Sequence, residues 1–401
     1  MEYIETFSPV ARMTTIRTFL AVAASKAWHV HKLDIDNAFL HGDLDEEVYM
    51  VLPPGFQGEK PNQVCKLLRS LYDLKQASRQ WNAKLTATLL RDGFKQAAVD
   101  PSLFTKGIGR DYIALLIYID DILVASSELT NIQQIKESLD EAFKIKDLGV
   151  LGYFLGIEAK VTTAGLNLCQ RKYALDILND AGFINCKPMS TPMVPGSHLS
   201  QHDGTPLNDP GSYRHLIGRL LYLTATKPDI TYAVHRLSQF VSSPTDIHMA
   251  AAHRILRYIK GSPGQGILYP TATTLLLKSF SDSDWPSCHD TRRSVTRYCI
   301  FLGQSLALQV AASEPTIVYY DNKSAVAIAE NNVFHERTKH IEIDCHVVRE
   351  RIAQGLVKLL PVSTLNQVAD GFTKALPISL FGSFVSKLGV QNLHTPPYGG
   401  Y

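Results

Sequence analysis

Between residues 14 and 28 (TTIRTFLAVAASKAW) apolar positions recur at helical spacing, which predicts an amphipathic helix. From His29 to Ile35 the pattern switches to alternation, predicting a strand that ends at Asp34-Ile35-Asp36 before Asn37-Ala38-Phe39-Leu40. Pro53-Pro54-Gly55 breaks the chain, and residues 74–92 return to helical spacing up to Asp92-Gly93. Residues 112–126 (YIALLIYIDDILVAS) read as two β-branched, apolar strands joined around Asp120-Asp121, a hairpin. A helix is expected over 131–143, then a turn and a strand from Lys146 to Glu158. Residues 187–211 are rich in Pro, Gly and Ser and read as a linker. Helices are expected over 212–226, 229–242 and 246–260, the last ending at Gly261-Ser262-Pro263-Gly264. A second α/β unit starts near Leu275, with Lys278 to Trp285 as its first strand and turn. From Pro377 periodicity fades, and a poorly ordered tail is expected. Helices alternating with strands and a buried hairpin predict an α/β fold, with helices packed against a sheet.

Composition narrows the class. The 401 residues suit two or three domains, and 45% apolar with 19% charged residues describes a globular chain. No run of about 18 apolar residues occurs, and the first ten residues hold two glutamates and no basic stretch. Neither a membrane span nor a secretion signal is therefore expected, which points to an intracellular protein, cytoplasmic or nuclear. Six cysteines stand far apart without a C-x-x-C pair, which favours reduced thiols over a disulfide framework or a zinc ribbon. The net charge of +2 says little about partners. Its distribution says slightly more, since residues 201–300 carry eleven Lys and Arg against seven Asp and Glu, whereas 101–200 is net acidic. Scatter of solvated surface charge explains that equally well.

The chemistry lies in the carboxylates. Two adjacent aspartates, Asp120 and Asp121, interrupt an apolar strand pair, where an unpaired charge is costly. A polar hairpin tip exposed to water would explain them, since Asp favours turns. Asp34 adds a third acid at the end of an apolar strand. Three carboxylates at strand ends can hold two divalent ions side by side, which stabilises both the attacking and the leaving oxygens of an in-line phosphoryl transfer. Such oxygen ligands suit Mg²⁺, with Mn²⁺ as a substitute.

In order and spacing, LDIDNAFLHG, SLYDLKQASRQW, YIDDILVAS and KDLGVLGYFLGIE resemble the reverse transcriptase of copia-type LTR-retrotransposon polyproteins. ETFSPVARMTTIR upstream and YRHLIGRLLYLTATKPDITYAV and AAHRILRYIKG downstream extend the resemblance from about residue 2 to 376. It implies a right-hand polymerase in an α/β (α+β) fold. Truncated fingers and palm would occupy residues 1–160, and a helical thumb and connection 161–274. An incomplete RNase H-like domain would fill 275–376, and the tail 377–401. Asp34, Asp120 and Asp121 take the positions of the family's metal-binding aspartates, with Asp36 a neighbour outside that register. Phe39 falls where an aromatic lies under the deoxyribose and blocks a 2′-hydroxyl, although a core aromatic would fit there too. Gln76 and Arg79 fall in the segment that contacts the dNTP and the template. Residues 147–158 resemble the hairpin that grips the primer end. RNA template, DNA primer and dNTPs are the implied partners. The family usually has Gly where this chain has Asp73, and it has a basic fingers strand ahead of ETFSPVAR that this chain lacks. Intact metal geometry with weak nucleotide affinity is the resulting expectation.

SFSDSDW (279–285), VYYDN (318–322) and NQVADGFTK (366–374) resemble the RNase H part of the same polyprotein, with DTRRS, HERTKHIEID and VRERI between them. Asp282, Asp321 and Asp370 are the matching acids, with Asp284 an alternative to Asp282. Asp321 follows Gly303 by only eighteen positions, where the family carries several strands and a helix bearing a catalytic glutamate. The sole acid in that gap, Glu314, precedes Pro315, which disfavours a helix. An internal deletion near 303–318 and an inactive nuclease are therefore expected. His335, His340, Cys345 and His346 fit none of the usual zinc spacings and read as surface and packing residues. The resemblance implies an RNA-directed DNA polymerase; the alternatives are a catalytically dead relic that at most binds nucleic acid, and a binding scaffold.

Overall fold

The computed structural model describes residues 11–56, 62–197, 199–284, 295–307, 315–321 and 348–392. Two compact units divide the chain, one comprising residues 1–19 and 26–151, the other 20–25 and 152–401.

The first unit contains most of helix α1 (Met13–Ser25), then β1 (His29–Ile35), β2 (Tyr49–Val51), β3 (Val64–Lys66) and α2 (Ala77–Arg91). β4 (Lys95–Gln96), β5 (Leu103–Lys106), β6 (Ile113–Tyr118), β7 (Asp121–Ser126), α3 (Leu129–Phe143) and β8 (Ile145–Val150) follow. Six strands form one sheet in the order β4-β5-β6-β7-β1-β8, and β2 pairs with β3 apart from it. α1 stops short of its expected end because Ala27 takes a left-handed φ of 51° just before β1. β6 and β7 are buried on both faces, so their sequence runs apolar without alternating. One face, with Leu33, Ile35, Leu115, Ile117, Ile122 and Val124, packs on Trp81, Leu85 and Leu89 of α2 and Ile132, Ile135 and Leu139 of α3. Each such fully buried side chain contributes about 1.5–3 kcal/mol, which fixes the register of the hairpin. Lys136 of α3 is buried and donates to His31 Nδ1 and Asp147 Oδ2, both at 2.8 Å, tying α3 to β1 and β8.

The second unit opens with β9 (Tyr153–Phe154), β10 (Ile157–Thr162), β11 (Gly165–Cys169) and α4 (Arg171–Asp180). Residue 160, an expected domain boundary, falls inside β10. The helices α5 (Pro210–Leu223), α6 (Thr231–Ser238) and α7 (Asp246–Gly261) match the expected trio. α5 starts two residues early because Asp209 caps it, accepting from the N–H groups of Gly211 (2.9 Å) and Ser212 (3.3 Å), with Pro210 in the first turn. β12 (Gln265–Pro270) then leads to β13 (Leu277–Asp284), β14 (Val295–Leu302), β15 (Ser305–Ala307), β16 (Thr316–Tyr320) and β17 (Val357–Pro361). α8 (Asp370–Thr373), α9 (Ile378–Lys387) and β18 (Val390–Asn392) end the described chain. The expectation of a poorly ordered tail from Pro377 fails over these last two elements. Phe381 and Phe384 of α9 are buried, and β18 pairs with β12 in the sheet β18-β12-β11-β10-β9.

The other sheet of this unit runs β15-β14-β13-β16-β17, antiparallel across β15, β14 and β13 and parallel across β13, β16 and β17. β15 and β16 thus run the same way with two strands between them. Part of the interval in which several strands were expected to be missing is occupied by β15 and β16 themselves. Only eight residues, 308–315, join these two strands, where a parallel crossover usually takes a dozen or more and a helix. Among the described residues no helix is long and apolar enough to cross a membrane. Cys65, Cys169, Cys186 and Cys299 are free thiols.

Candidate metal-binding carboxylate sites

The register of β1 against β7 builds the first site. Asp34 lies directly opposite Asp121, Lys32 opposite Leu123, and side chains paired this way share one face of the sheet. Tyr118 of β6 lies opposite Asp121 from the other side. Asp120 stands in the two-residue turn between β6 and β7. Burial raises the Asp34 carboxyl above its ordinary value, and the negative charges of Asp120 and Asp121 push it further. The Tyr72 hydroxyl is raised in the same way, by burial and then by Asp120 and Asp34. A bound cation would offset the burial and like charge that raise Asp34, so these residues fit a divalent metal.

A cation from the protein already touches the cluster, since Lys32 Nζ lies 2.8 Å from Asp121 Oδ1. Alternation places Lys32 on the face of Asp34, a signal legible in the sequence. Asp36 is exposed beyond the end of β1. Phe39, on a short 3-10 turn at Ala38–His41, is half-buried and meets Tyr72 at a centroid distance of 4.8 Å. Gln76 is the N-cap residue of α2 and is only 4% exposed, so it is not the solvated side chain a lone helical glutamine suggests. Arg79 is half-buried on the first turn of α2. Asp73, where the resemblance places Gly, takes a left-handed φ of 71°.

The turn carrying Asp120 is strained. Ile119 has φ +61°, whereas Asp120 does not leave the negative-φ region. Two-residue hairpins of this type place Gly at the first position, and a β-branched residue there costs on the order of 1–3 kcal/mol. Both turn carbonyls are held: Trp81 Nε1 donates to Ile119 O at 2.8 Å, and the Ile35 N–H donates to Asp120 O at 3.0 Å.

The second site lies in the other unit. Parallel pairing of Phe280 with Tyr319 carries Asp282 and Asp321 to the same level, two residues further along. Asp370 starts α8. One ligand oxygen from each of Asp282, Asp321 and Asp370 lies within 4.8 Å of the others. Asp34, Asp120 and Asp121 do not form so tight a group among the described residues. Thr373 Oγ1 donates to Asp282 Oδ2 at 2.5 Å, and Lys374 Nζ pairs with Asp370 Oδ2 at 3.0 Å. Asp370 Oδ1 is buried without a hydrogen-bond partner. Burial raises the Asp370 carboxyl and Asp282 and Asp321 add to the rise, whereas Lys374 opposes it. An orphaned carboxylate oxygen beside two further acids also fits a divalent ion. The side chain of Asp284 and residues Glu314, His335, His340, Cys345 and His346 lie outside the described residues.

Residues 1–195 match the family of reverse transcriptases (RNA-dependent DNA polymerases). The chain is 41% identical to the retrovirus-related Pol polyprotein of transposon RE1 of Arabidopsis thaliana, over 99% of this chain and 30% of that protein. It is 34% identical to the Pol polyprotein of transposon TNT 1-94 of Nicotiana tabacum, over 95% of this chain and 32% of that one. The chain thus spans about a third of these relatives. It also covers 89% of a putative Ty5-1 transposon protein of Saccharomyces cerevisiae at 30% identity. The RE1 alignment runs over 436 positions, so at least 35 positions of that relative have no counterpart among these 401 residues. Foamy viral protease-reverse transcriptase in complex with an RNA/DNA hybrid aligns at a TM-score of 0.48 and 12% identity, covering 92% of this chain and 47% of that one. By its sequence matches to the transposon proteins the chain belongs to the reverse transcriptase family of copia-type retrotransposon Pol polyproteins.

Proposed function

We propose that the chain carries an RNA-directed DNA polymerase site at Asp34, Asp120 and Asp121, and a nuclease-like site at Asp282, Asp321 and Asp370 that does not turn over. The observation that carries the polymerase reading is the pairing of Asp34 with Asp121 across β1 and β7, with Asp120 in the adjoining turn. The three aspartates would hold a pair of Mg²⁺ ions, which would supply stabilisation of the negative charge that develops during phosphoryl transfer. The primer 3′-oxygen would bond to the α-phosphorus of a dNTP while the bond to the pyrophosphate leaving group breaks and the hydroxyl proton passes to bulk water. Lys32 keeps Asp121 neutralised until the site is loaded. Phe39, braced by Tyr72, closes the space a 2′-hydroxyl needs. Gln76 at the head of α2 and Arg79 one turn on are the residues expected to meet template and dNTP.

Primer extension on poly(rA)·oligo(dT) with Mg²⁺ tests this reading. Incorporation of dTTP that disappears in the Asp120→Asn, Asp121→Asn variant is expected; folded protein that incorporates nothing would favour the relic.

The eight-residue interval between β15 and β16 supports an inactive nuclease half, because a parallel crossover usually takes a dozen or more residues and Glu314, ahead of Pro315, is the one acid in that interval. Cutting of the RNA strand of a hybrid, abolished by Asp282→Asn, would refute that.

A further inference from the structure

We infer that Trp81 is a positioning residue for the turn that carries the polymerase aspartates, and that its indole N–H, not merely its bulk, sets the metal affinity of the site. This rests on the polymerase-site reading above.

Ile119 and Asp120 alone join β6 to β7, and Ile119 sits at a φ that favours Gly. A turn built against its own residue preference needs outside restraint. The Asp120 carbonyl accepts from the Ile35 N–H, next to Asp34. The Ile119 carbonyl has a donor from a different element, the Trp81 indole at 2.8 Å. Trp81 is 1% exposed, its ring set edge-on to Phe143 at 5.1 Å, and His41 lies 5.9 Å away. The indole thus has little freedom to follow the carbonyl if the turn relaxes. Rotation of the peptide between Ile119 and Asp120 would withdraw that carbonyl and swing the Asp120 carboxylate with it. The donor opposes this rotation. It also couples the turn to α2, whose first turn carries Gln76 and Arg79.

The test is a double-mutant comparison in the full-length chain, using Mn²⁺ binding followed by electron paramagnetic resonance. An Asp282→Asn, Asp370→Asn background removes the second cluster from the signal. Trp81→Phe retains an aromatic ring and deletes the donor; Ile119→Gly lets the turn adopt its shape unaided. Trp81→Phe is expected to weaken Mn²⁺ binding roughly 5- to 10-fold, as befits one lost hydrogen bond. In an Ile119→Gly background the same change should cost less than about 2-fold, because the restraint is no longer needed. In primer extension kcat should fall while KM for primer–template is unchanged. Equal losses in both backgrounds would mean that Trp81 acts through core packing alone and would overturn the inference. An unchanged affinity in Trp81→Phe would do the same.

Asp120→Asn, Asp121→Asn separates the two readings. If it leaves Mn²⁺ binding intact, the metal-site assignment fails, whatever Trp81 does. Should Trp81→Phe not fold, the intact chain gives the answer by tryptophan-labelled NMR. The Trp81 indole proton should exchange with solvent far more slowly than that of half-buried Trp28, and Ile119→Gly should shift its resonance. An indole proton that exchanges as fast as that of Trp28 would overturn the inference.

Discussion

Replacing Lys227 with Met should destabilise the second unit by about 3–5 kcal/mol, the usual result of removing one member of a buried charged group. Lys227 is fully buried, and its ammonium donates to Ser262 O at 3.0 Å and Gln265 Oε1 at 3.4 Å. Asp229, 2% exposed, couples to it electrostatically and accepts a short hydrogen bond from Tyr258, whose hydroxyl is raised by burial and then by Asp229. Methionine fills nearly the same volume, so most of the loss comes from leaving Asp229 uncompensated rather than from a cavity. At about 2–4 °C per kcal/mol for a unit of this size, Tm should fall by roughly 10 °C. Urea unfolding followed by circular dichroism should show a lower midpoint with an unchanged slope. Adding Asp229→Asn should return part of the stability, with a coupling of about 1–3 kcal/mol. The pH dependence has a definite sign. Burial first, only partly opposed by Asp229, lowers the Lys227 pKa, so between that value and about 10.4 the unfolded chain holds more protons than the folded one. Stability should therefore rise with pH across that window, and Lys227→Met should flatten the slope. A loss under 1 kcal/mol, or strictly additive losses in the double variant, would refute the reasoning.

Two further outcomes bear on the polymerase half. Asp73→Gly should stabilise the first unit by about 0.5–1 kcal/mol, because φ +71° suits glycine and the side chain is exposed; a lower urea midpoint would contradict it. Phe39→Val should raise ribonucleotide over deoxyribonucleotide incorporation by roughly tenfold or more, read from competing extension assays. An unchanged ratio would assign Phe39 to packing against Tyr72 alone.

Much of this architecture was legible in the sequence, and the reasons are local. The apolar runs of 113–118 and 121–126 carry their own strand signal, and the three helices after residue 209 show helical spacing with punctuation at both ends. The boundary errors are also local. Pro210 looks like linker until Asp209 is recognised as its cap, and the α9–β18 segment gains its order only by pairing with β12, more than a hundred residues upstream. Motif order singled out Asp282, Asp321 and Asp370, which the structure brings within 4.8 Å of one another. What the candidate aspartates touch could not be read from motifs. Lys32 reaches Asp121 through the register of two strands ninety residues apart, Tyr72 enters from a loop, and the Trp81 donor depends on where α2 crosses the hairpin. Nor did spacing alone show that Gln76 would be buried, since a helical glutamine with few apolar neighbours reads as solvated.

β18 contributes three residues to its sheet, yet it is all that stands between β12 and an open edge. β12 carries Ile267, Leu268 and Tyr269, all buried, in a row of β-favouring side chains. A chain that stopped after Pro377 would keep both carboxylate clusters while presenting that strand as a template for another copy. Its failure would show in a centrifuge tube before it showed in an enzyme assay, as self-association growing with concentration. A few backbone hydrogen bonds at the far end of the sequence thus govern colloidal behaviour rather than chemistry.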